Sequence, residues 1–591
     1  MKKHHIIFAA LTILIMWGML APGYIFSLDM IPPQVYTTHF ESSGAPFYTL
    51  LAITNLFLPS QIIQKLLIFL VIFLSLTTMY DLIPAKSATP KYYAALLYAI
   101  NPFVLDRFLA GHINLLLAYA ITPLAVKYIL RFKEDPKKYT TSAALIIAAT
   151  GILNLHNLFI TLTIFIAIMI TNPKKTSIIP AIKVIAIILL LNSYWLLQEP
   201  TEKISTITED DIAVFRSRPA LSFNTAFTLA GMHGFWRTTS SPPSYWPILF
   251  IIILFLAVHG YVRTKDHAFA LIWLASLIIA IGITSPYTEP IYRYLYENIF
   301  FFKGFREPQK FIGLAALAYA YLGAKGIESI KKNYILLIIP LIYTTGMFTL
   351  SAALPSQDYP EDYYEMDAYL NSDKQDFNTL VLPWHQYMDY SWNKNKDKRL
   401  ANVARSFFQK PTITGDNMET GRIYSSSNNP RSEYIEQTLK ENTTSIGKSL
   451  ARINVKYVML KKEVDYQKYQ EFLQNQTDLT LIKNTTNLLL YVNNNPTYII
   501  YQTDGDDITP LSYEKISDTH YFIEEPEKKY VVLTDTYDNS WTLGQSKKQQ
   551  SQPTNIWEYS KDRELKKTTS YTGYIISIIT FIIIMAKDKK I

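Results

Sequence analysis

The chain has 591 residues, 49% hydrophobic and 14% aromatic, and it contains no Cys, which excludes disulfides, thiolate catalysis and Cys-ligated metals. That composition is too apolar for a soluble multi-domain protein and too interrupted for one uniform membrane bundle. The formal net charge of +8 does not point to nucleic acid, because Lys and Arg fall in short loops between apolar runs or are diluted among carboxylates in the polar part.

The first apolar run, residues 6–20, is long enough with its flanks to cross a bilayer at about 1.5 Å per residue. MKKHH ahead of it also suits a secretory signal cleaved near Ala21, but the length of the run and the apolar segments that follow favour a retained helix. Residues 22–34, PGYIFSLDMIPPQ, end the run and place Asp29 at the membrane-water boundary. A carboxylate is costly to hold there and is a functional candidate by default; the plain alternative is an Asp that only stops the helix before Pro32 and Pro33.

Residues 44–59 are apolar but short and contain Asn55, which predicts an interfacial or re-entrant helix. Crossings are predicted at residues 62–80, 92–104, 113–130, 178–197, 246–261, 268–283, 311–326, 334–350 and 571–585. Residues 142–170 carry Asn154, His156 and Asn157 at their middle and suit two short helices with a polar turn between them. Cationic loops then alternate sides across about twelve crossings: Lys86 with Lys91, Arg131 to Lys138, Lys174 with Lys175, Arg263 with Lys265, Lys331 with Lys332, and Lys587, Lys589 and Lys590. This pattern puts Asp29, the loops 198–245 and 285–310, and residues 355–567 on the outer face. The basic run 561–567 conflicts locally and is outvoted by the charges after the last helix.

Residues 355–567 have short β-rich runs at 379–384, 455–460, 488–492, 497–501 and 530–537, separated by Asn, Asp, Gly and Ser turns. The expected fold is therefore a polytopic α-helical membrane domain over 1–354, an extracytoplasmic α+β domain over 355–567 ending in a β-sandwich, and a last transmembrane helix with a basic cytoplasmic tail over 568–591. Asn442, Asn475 and Asn484 each begin an N-x-S/T sequon, a match that an Asn-rich chain produces by chance.

Three ionisable clusters join Asp29 on the outer face. NPFVLDRFLAGHIN places Asp106, Arg107 and His112 where one helix end turns into the next; TEDDIAVFRSRP places Glu209, Asp210 and Asp211 ahead of Arg216 and Arg218; GFREPQKF places Arg306, Glu307 and Lys310 at the mouth of a helix. Arg and Lys at that height suit a lipid-linked phosphate, since a planar guanidinium pairs two phosphate oxygens. The bland readings are mutual neutralisation of Asp106 and Arg107, a solvated acidic face at residues 209–211, and a helix-capping His112. No HExxH spacing is present, so a divalent cation such as magnesium or manganese would need carboxylates brought together from separate loops. No phosphate-cradling Gly loop, GxSxG elbow or dinucleotide fingerprint is visible.

A first-loop Asp directly after the first helix, many crossings and a C-terminal exported domain together resemble the GT-C superfamily of polyprenyl-phosphate-sugar-dependent glycosyltransferases. NPFVLDRFLAGHINLLLAYAITPLA at residues 101–125, FREPQKF at 305–311, INVKYVML at 453–460 and VVLTDTYDNSWTL at 531–543 look like segments of YfhO-like and arabinofuranosyltransferase-like membrane proteins with a GT-C core. The resemblance implies inverting transfer of a sugar from a polyprenyl phosphate to a glycan, lipid or protein acceptor hydroxyl at the membrane surface. It makes Asp29 the general base and has Arg306 and Lys310 steady the departing phosphate. Two departures stand out. Many GT-C enzymes pair two acidic residues at this loop, whereas Asp29 lies between Leu28 and Met30, with Glu41 the nearest later carboxylate. The WWDxG signature of oligosaccharyltransferases is missing, SWTLG at residues 540–544 being a faint echo. Two other classes stay open: a non-catalytic envelope assembly protein, and a flippase or transporter, which calls for ionisable residues deep inside helices.

Overall fold

The computed structural model describes residues 3–587 apart from 39, 41, 172–177, 199–208, 220–222, 238–241, 421–422, 426, 428, 442 and 570. Glu41, Lys174, Lys175, Asn442, Lys589 and Lys590 lie outside the described residues, as do the side chains of Glu209, Asp210, Asp211 and Lys587.

The apolar runs fold into helices α1 (Lys3–Met16), α2 (Ala45–Asn55), α3 (Ser60–Leu82), α4 (Ala88–Ala99), α5 (Pro102–Ala110), α6 (Ile113–Glu134), α7 (Pro136–Leu153) and α8 (Leu155–Ile170), followed by further helices such as Trp246–Thr264, His267–Ile281 and Ile312–Ile327. Among the described residues, five helices are long and apolar enough to cross a membrane: Lys3–Leu20, Ser60–Leu82, Ile113–Glu134, Trp246–Thr264 and His267–Thr284. A bent pair, Asn333–Tyr343 with Thr345–Ala353, makes six if it is one span. The apolar helices Leu155–Ile170, Ile178–Leu191 and Thr572–Lys587 are shorter, so helix length alone carries five or six spans rather than about twelve.

Two expected crossings are broken. Residues 92–104 divide because Asn101 caps a new helix, its side chain accepting from the Val104 amide at 3.1 Å, and Pro102 takes the first helical position. Residues 334–350 bend by 59° where Thr344 leaves helical angles. The polar turn expected within 142–170 is there, with Asn154 extended between α7 and α8.

Helix Ile312–Ile327 is the buried axis, every residue but Lys325 being buried. It lies against Trp246–Thr264 at backbone distance: a Cβ on Gly260 would stand 1.9 Å from the Leu322 carbonyl oxygen, and one on Gly326 would stand 2.1 Å from that of Leu256. Small residues give membrane helices this approach, where dispersion rather than water expulsion drives packing.

The β-rich region begins with β2 (Ser356–Gln357), which pairs antiparallel with β1 (Tyr24–Ile25) of the first loop. Next come β3 (Asn378–Leu382), β4 (Tyr387–Asp389), β5 (Arg399–Ala401) and β6 (Thr412–Ile413). A five-stranded mixed sheet has the order Leu479–Asn484, Leu488–Asn493, Val455–Lys461, β3, β6, with β3 parallel to both neighbours. Its side chains alternate: Val381, Tyr457 and Met459 enter one core, and Leu380, Leu382, Val458 and Leu460 enter another. Burial on both faces explains the near-continuous apolar runs that sequence alone displays here. Residues 500–567 form two antiparallel sheets, of five and four strands, which share one core including Trp541 and Trp557.

The first loop belongs to both halves. Ile25 packs among the helices, while its neighbours Tyr24 and Phe26 pack in the β-rich core with Tyr359 and Phe407.

Candidate active site

Residues 21–34 run extended between two sets of donors and acceptors. From α3, Gln64 Oε1 accepts from the Ile25 amide at 3.0 Å and its Nε2 donates to the Ile25 carbonyl at 2.6 Å. From the β-rich region, Asn395 donates to the Phe26 carbonyl at 2.7 Å, the Ala401 amide to that of Leu28 at 2.7 Å, and Tyr359 to that of Pro32 at 2.7 Å. Ser27 and Met30 close a tight turn through paired backbone bonds of 3.2 and 3.1 Å. Asp29 sits at its tip, and its amide donates to the Ala110 carbonyl at the end of α5 at 3.0 Å. Gly111 permits this approach: it has φ +87°, and a Cβ there would lie 2.3 Å from the Met30 nitrogen. Within residues 23–30, Asp29 alone is exposed.

Both carboxylate oxygens are engaged. Tyr387 of β4 donates its hydroxyl to Oδ1 at 2.7 Å, and His112 Nε2 lies 3.1 Å from Oδ2. His112 Nδ1 lies 3.1 Å from Arg107 Nη1. Arginine can only donate, so Nδ1 accepts and Nε2 carries the proton given to Asp29. Arg107 Nη1 also reaches Glu307 Oε2 at 3.1 Å, with the Arg side chain 1% and the Glu side chain 11% exposed. Lys310 Nζ stands 3.9 Å from Glu307 Oε1 and 3.4 Å from His156 Nε2. The Gly304 carbonyl, 2.9 Å from His156 Nε2, marks that nitrogen as a donor.

Burial alone would raise the Glu307 carboxyl, but Lys310 above all, with Arg107 and Arg306, outweighs it and holds the group well below the usual carboxylate range. Burial lowers Lys310, and the Glu307 charge works against that. Such a buried, cross-paired set is costly to assemble and is stable only when every partner is present.

Asp29, His112, His156, Glu307 and Lys310 line one cavity of about 1150 Å³. Apolar side chains of the first loop, α2 and α3, including Val35, Leu51 and Leu67, continue the same wall. Beside them α2 exposes Leu50 and Ile53, and Leu56 and Phe57 just past its end are exposed as well. Residues of the β-rich region, 405–414 together with Asn429, Arg431, Ser432 and Thr536, line the rest of it.

The sequence candidates divide. Asp29, Arg107, His112, Glu307 and Lys310 are brought together. Arg306 stacks on Phe215, its guanidinium 4.5 Å from the ring centre, and feels Glu307 without lining the cavity. Asp106 is buried in α5 and does not line it either. Arg216 and Arg218 are exposed on the segment after Phe215 and lie off the cavity. His156 and Tyr387 complete the cluster without having been singled out as site residues. His156 had a signal in the polar NLHN break, and Tyr387 had none beyond an aromatic-rich stretch. Among the described residues, no group of three or more His, Asp or Glu side chains is arranged to hold a metal ion.

No family model matches the sequence, and no curated protein matches it. Solved structures do. A single-particle cryo-EM structure of the arabinofuranosyltransferase AftD from Mycobacteria is similar at a TM-score of 0.61 and 12% identity, over 85% of this chain and 41% of that one. A structure of a mutant of the same protein gives a TM-score of 0.56 at 12% identity, over 85% and 43% of the two chains. The chain thus spans about two fifths of AftD's length, and over that span it shares the fold of part of a mycobacterial membrane arabinofuranosyltransferase.

Proposed function

We propose that the chain is a GT-C-type membrane glycosyltransferase that moves a sugar from a polyprenyl-phosphate-linked donor to an envelope glycan, lipid or protein acceptor. The observation that carries this reading is the Asp29 carboxylate, lifted from a buried turn into a large cavity bounded by apolar helices on one side and a β-rich region on the other. The reading goes with a topology of about twelve crossings, drawn from the alternation of cationic loops, with residues 1–354 as the membrane domain, 355–567 outside the cell membrane and 568–591 as a final transmembrane helix with a basic cytoplasmic tail.

In this mechanism the acceptor hydroxyl gives its proton to Asp29 as its oxygen attacks the anomeric carbon, and the bond from that carbon to the phosphate oxygen breaks on the opposite face. Configuration inverts. Each carboxylate oxygen keeps a lone pair beyond its bond to Tyr387 or His112, so the base stays usable while its orientation is fixed. Lys310 on the cavity wall, and Arg306 behind it, meet the charge that develops on the departing phosphate. The exposed apolar face of α2, next to Val35 and Leu51, suits entry of the lipid tail from the bilayer.

The test is transfer of radiolabel from a polyprenyl-phosphate-sugar pool into envelope glycans, in membranes carrying the wild type or Asp29→Asn at matched folded amounts. Loss of transfer in the variant supports the reading; equal transfer removes Asp29 as the base.

A further inference from the structure

The chemistry above uses the cavity lining drawn from the helices and the first loop and leaves the lining drawn from the β-rich region without a role. That wall is cationic: Arg405, Lys410 and Arg431 all line it. None of the three is in a salt bridge among the described residues. Their partners are neutral oxygens. Arg405 Nε donates to Thr414 Oγ1 at 2.7 Å, Lys410 Nζ to the Gln375 carbonyl at 2.9 Å, and Arg431 Nη2 to the Thr534 carbonyl at 2.6 Å. Arg431 Nε is buried and has no partner at all. Asp535 is the carboxylate that Arg431 feels, from beyond pairing distance.

Cations on a cavity wall whose own partners are neutral oxygens select a negative ligand. The lipid donor enters past the other wall, where Val35, Leu51 and Lys310 lie, so the ligand of this wall is the second substrate. We infer that the β-rich wall of the cavity is an acceptor subsite, and that the acceptor is an anionic glycan whose carboxylate or phosphate groups pair with Arg405 and Arg431. The inference rests on the glycosyltransferase reading and sharpens it from any acceptor to an acidic oligosaccharide.

The test measures binding to the full chain in neutral-lipid nanodiscs. Three probes are used: a short oligouronate, its carboxyl-reduced counterpart of the same length, and a short-chain polyprenyl phosphate. The oligouronate is expected to bind at least about tenfold tighter than the reduced form, with the preference shrinking as salt rises. Arg405→Gln with Arg431→Gln is expected to erase that preference and leave polyprenyl phosphate binding unchanged, while the Arg→Lys pair keeps part of it. Because Arg431 is half-buried, Arg405→Gln alone, at an exposed position, reads the same preference and is expected to reduce it severalfold. Equal affinity for the two oligosaccharides, no binding of either, or an unchanged preference in both Gln variants overturns the subsite. Equal loss of polyprenyl phosphate and oligouronate binding overturns it too, since the cations would then serve the donor. Binding is measured without transfer, so a failure of Asp29 as base and a failure of this subsite read out separately.

Discussion

His112 and His385 are each held by carboxylates within hydrogen-bond distance, in two different ways. His112 meets a single carboxylate, Asp29, at 3.1 Å, and its other nitrogen accepts from Arg107. His385 lies between two, with Nδ1 2.9 Å from both oxygens of Glu419 and Nε2 3.2 Å from Asp465. Only the first site opens on the cavity. At the second, a carboxylate at each ring nitrogen leaves no face for a third group, and the contact joins strand ends and a helix start within the β-rich region. The same residue types thus line a cavity in one place and form a clasp in the other; their carboxylates are similarly exposed, and what separates them is whether they open on the cavity.

The largest test of that contrast is activity. Asp29→Asn should lower transfer by about 10²–10⁴-fold, the range expected for loss of a general base, whereas His385→Gln should leave transfer per folded molecule unchanged. The reverse outcome would break the comparison. Stability should differ almost as sharply. Glu307→Gln removes one partner of the pair with Arg107, whose side chain is 1% exposed, and should cost about 3–5 kcal/mol in equilibrium unfolding. His385→Gln touches partners 33% and 42% exposed, where solvent screens the charge, and should cost about 1 kcal/mol or less. Tyr387→Phe deletes the bond to Asp29 Oδ1 without emptying volume, and should lower the turnover number about tenfold with the donor KM unchanged; a matching rise in KM would mean that the phenol binds donor rather than orienting the carboxylate.

Two pH effects are smaller. The folded Glu307 carboxyl is depressed, so its stabilisation is present above the ordinary range near 4.5 and is lost as pH falls below it. Thermal unfolding of Glu307→Gln should accordingly lack part of the wild type's acid-side decline. Lys461 behaves oppositely. It is buried against the Tyr390 hydroxyl at 3.0 Å and Asn402 Oδ1 at 2.6 Å, and burial lowers it to about 7, with Glu463 opposing. Unfolding releases a lysine that binds a proton the folded form lacks, so stability should rise from about pH 7 toward 10.5, and Lys461→Met should flatten that rise.

The helices, the break at Asn154 and the β-rich composition after residue 355 were legible because apolar length and period are local properties. Asp29, Arg107, His112, Glu307 and Lys310 were legible as charges at helix ends, where an ionisable group must have a reason. Arg216 and Arg218 carried the same signal and sit elsewhere, because a charge at a helix end does not say which way the following loop folds. The broken helices at Asn101 and Thr344 were read as continuous, hydropathy being blind to a cap inside an apolar run. Tyr387 was out of reach: its partner is 358 residues away, and long-range contacts, the pairing of β1 with β2 and the bond from Ala401 of β5 to Leu28 among them, bring β4 over the first loop.

That same pairing sets a schedule for biosynthesis. The ribosome delivers Asp29 first and Tyr387 358 residues later, which at ~5–20 residues per second is a wait of roughly 20–70 s. Through that interval the early helices can insert, but the turn that presents the carboxylate lacks the strand, the phenol and the amides that hold it. A nascent or prematurely terminated chain therefore carries the membrane body with its chemistry unassembled, and competence arrives only when the later half has been made and has folded back onto the beginning.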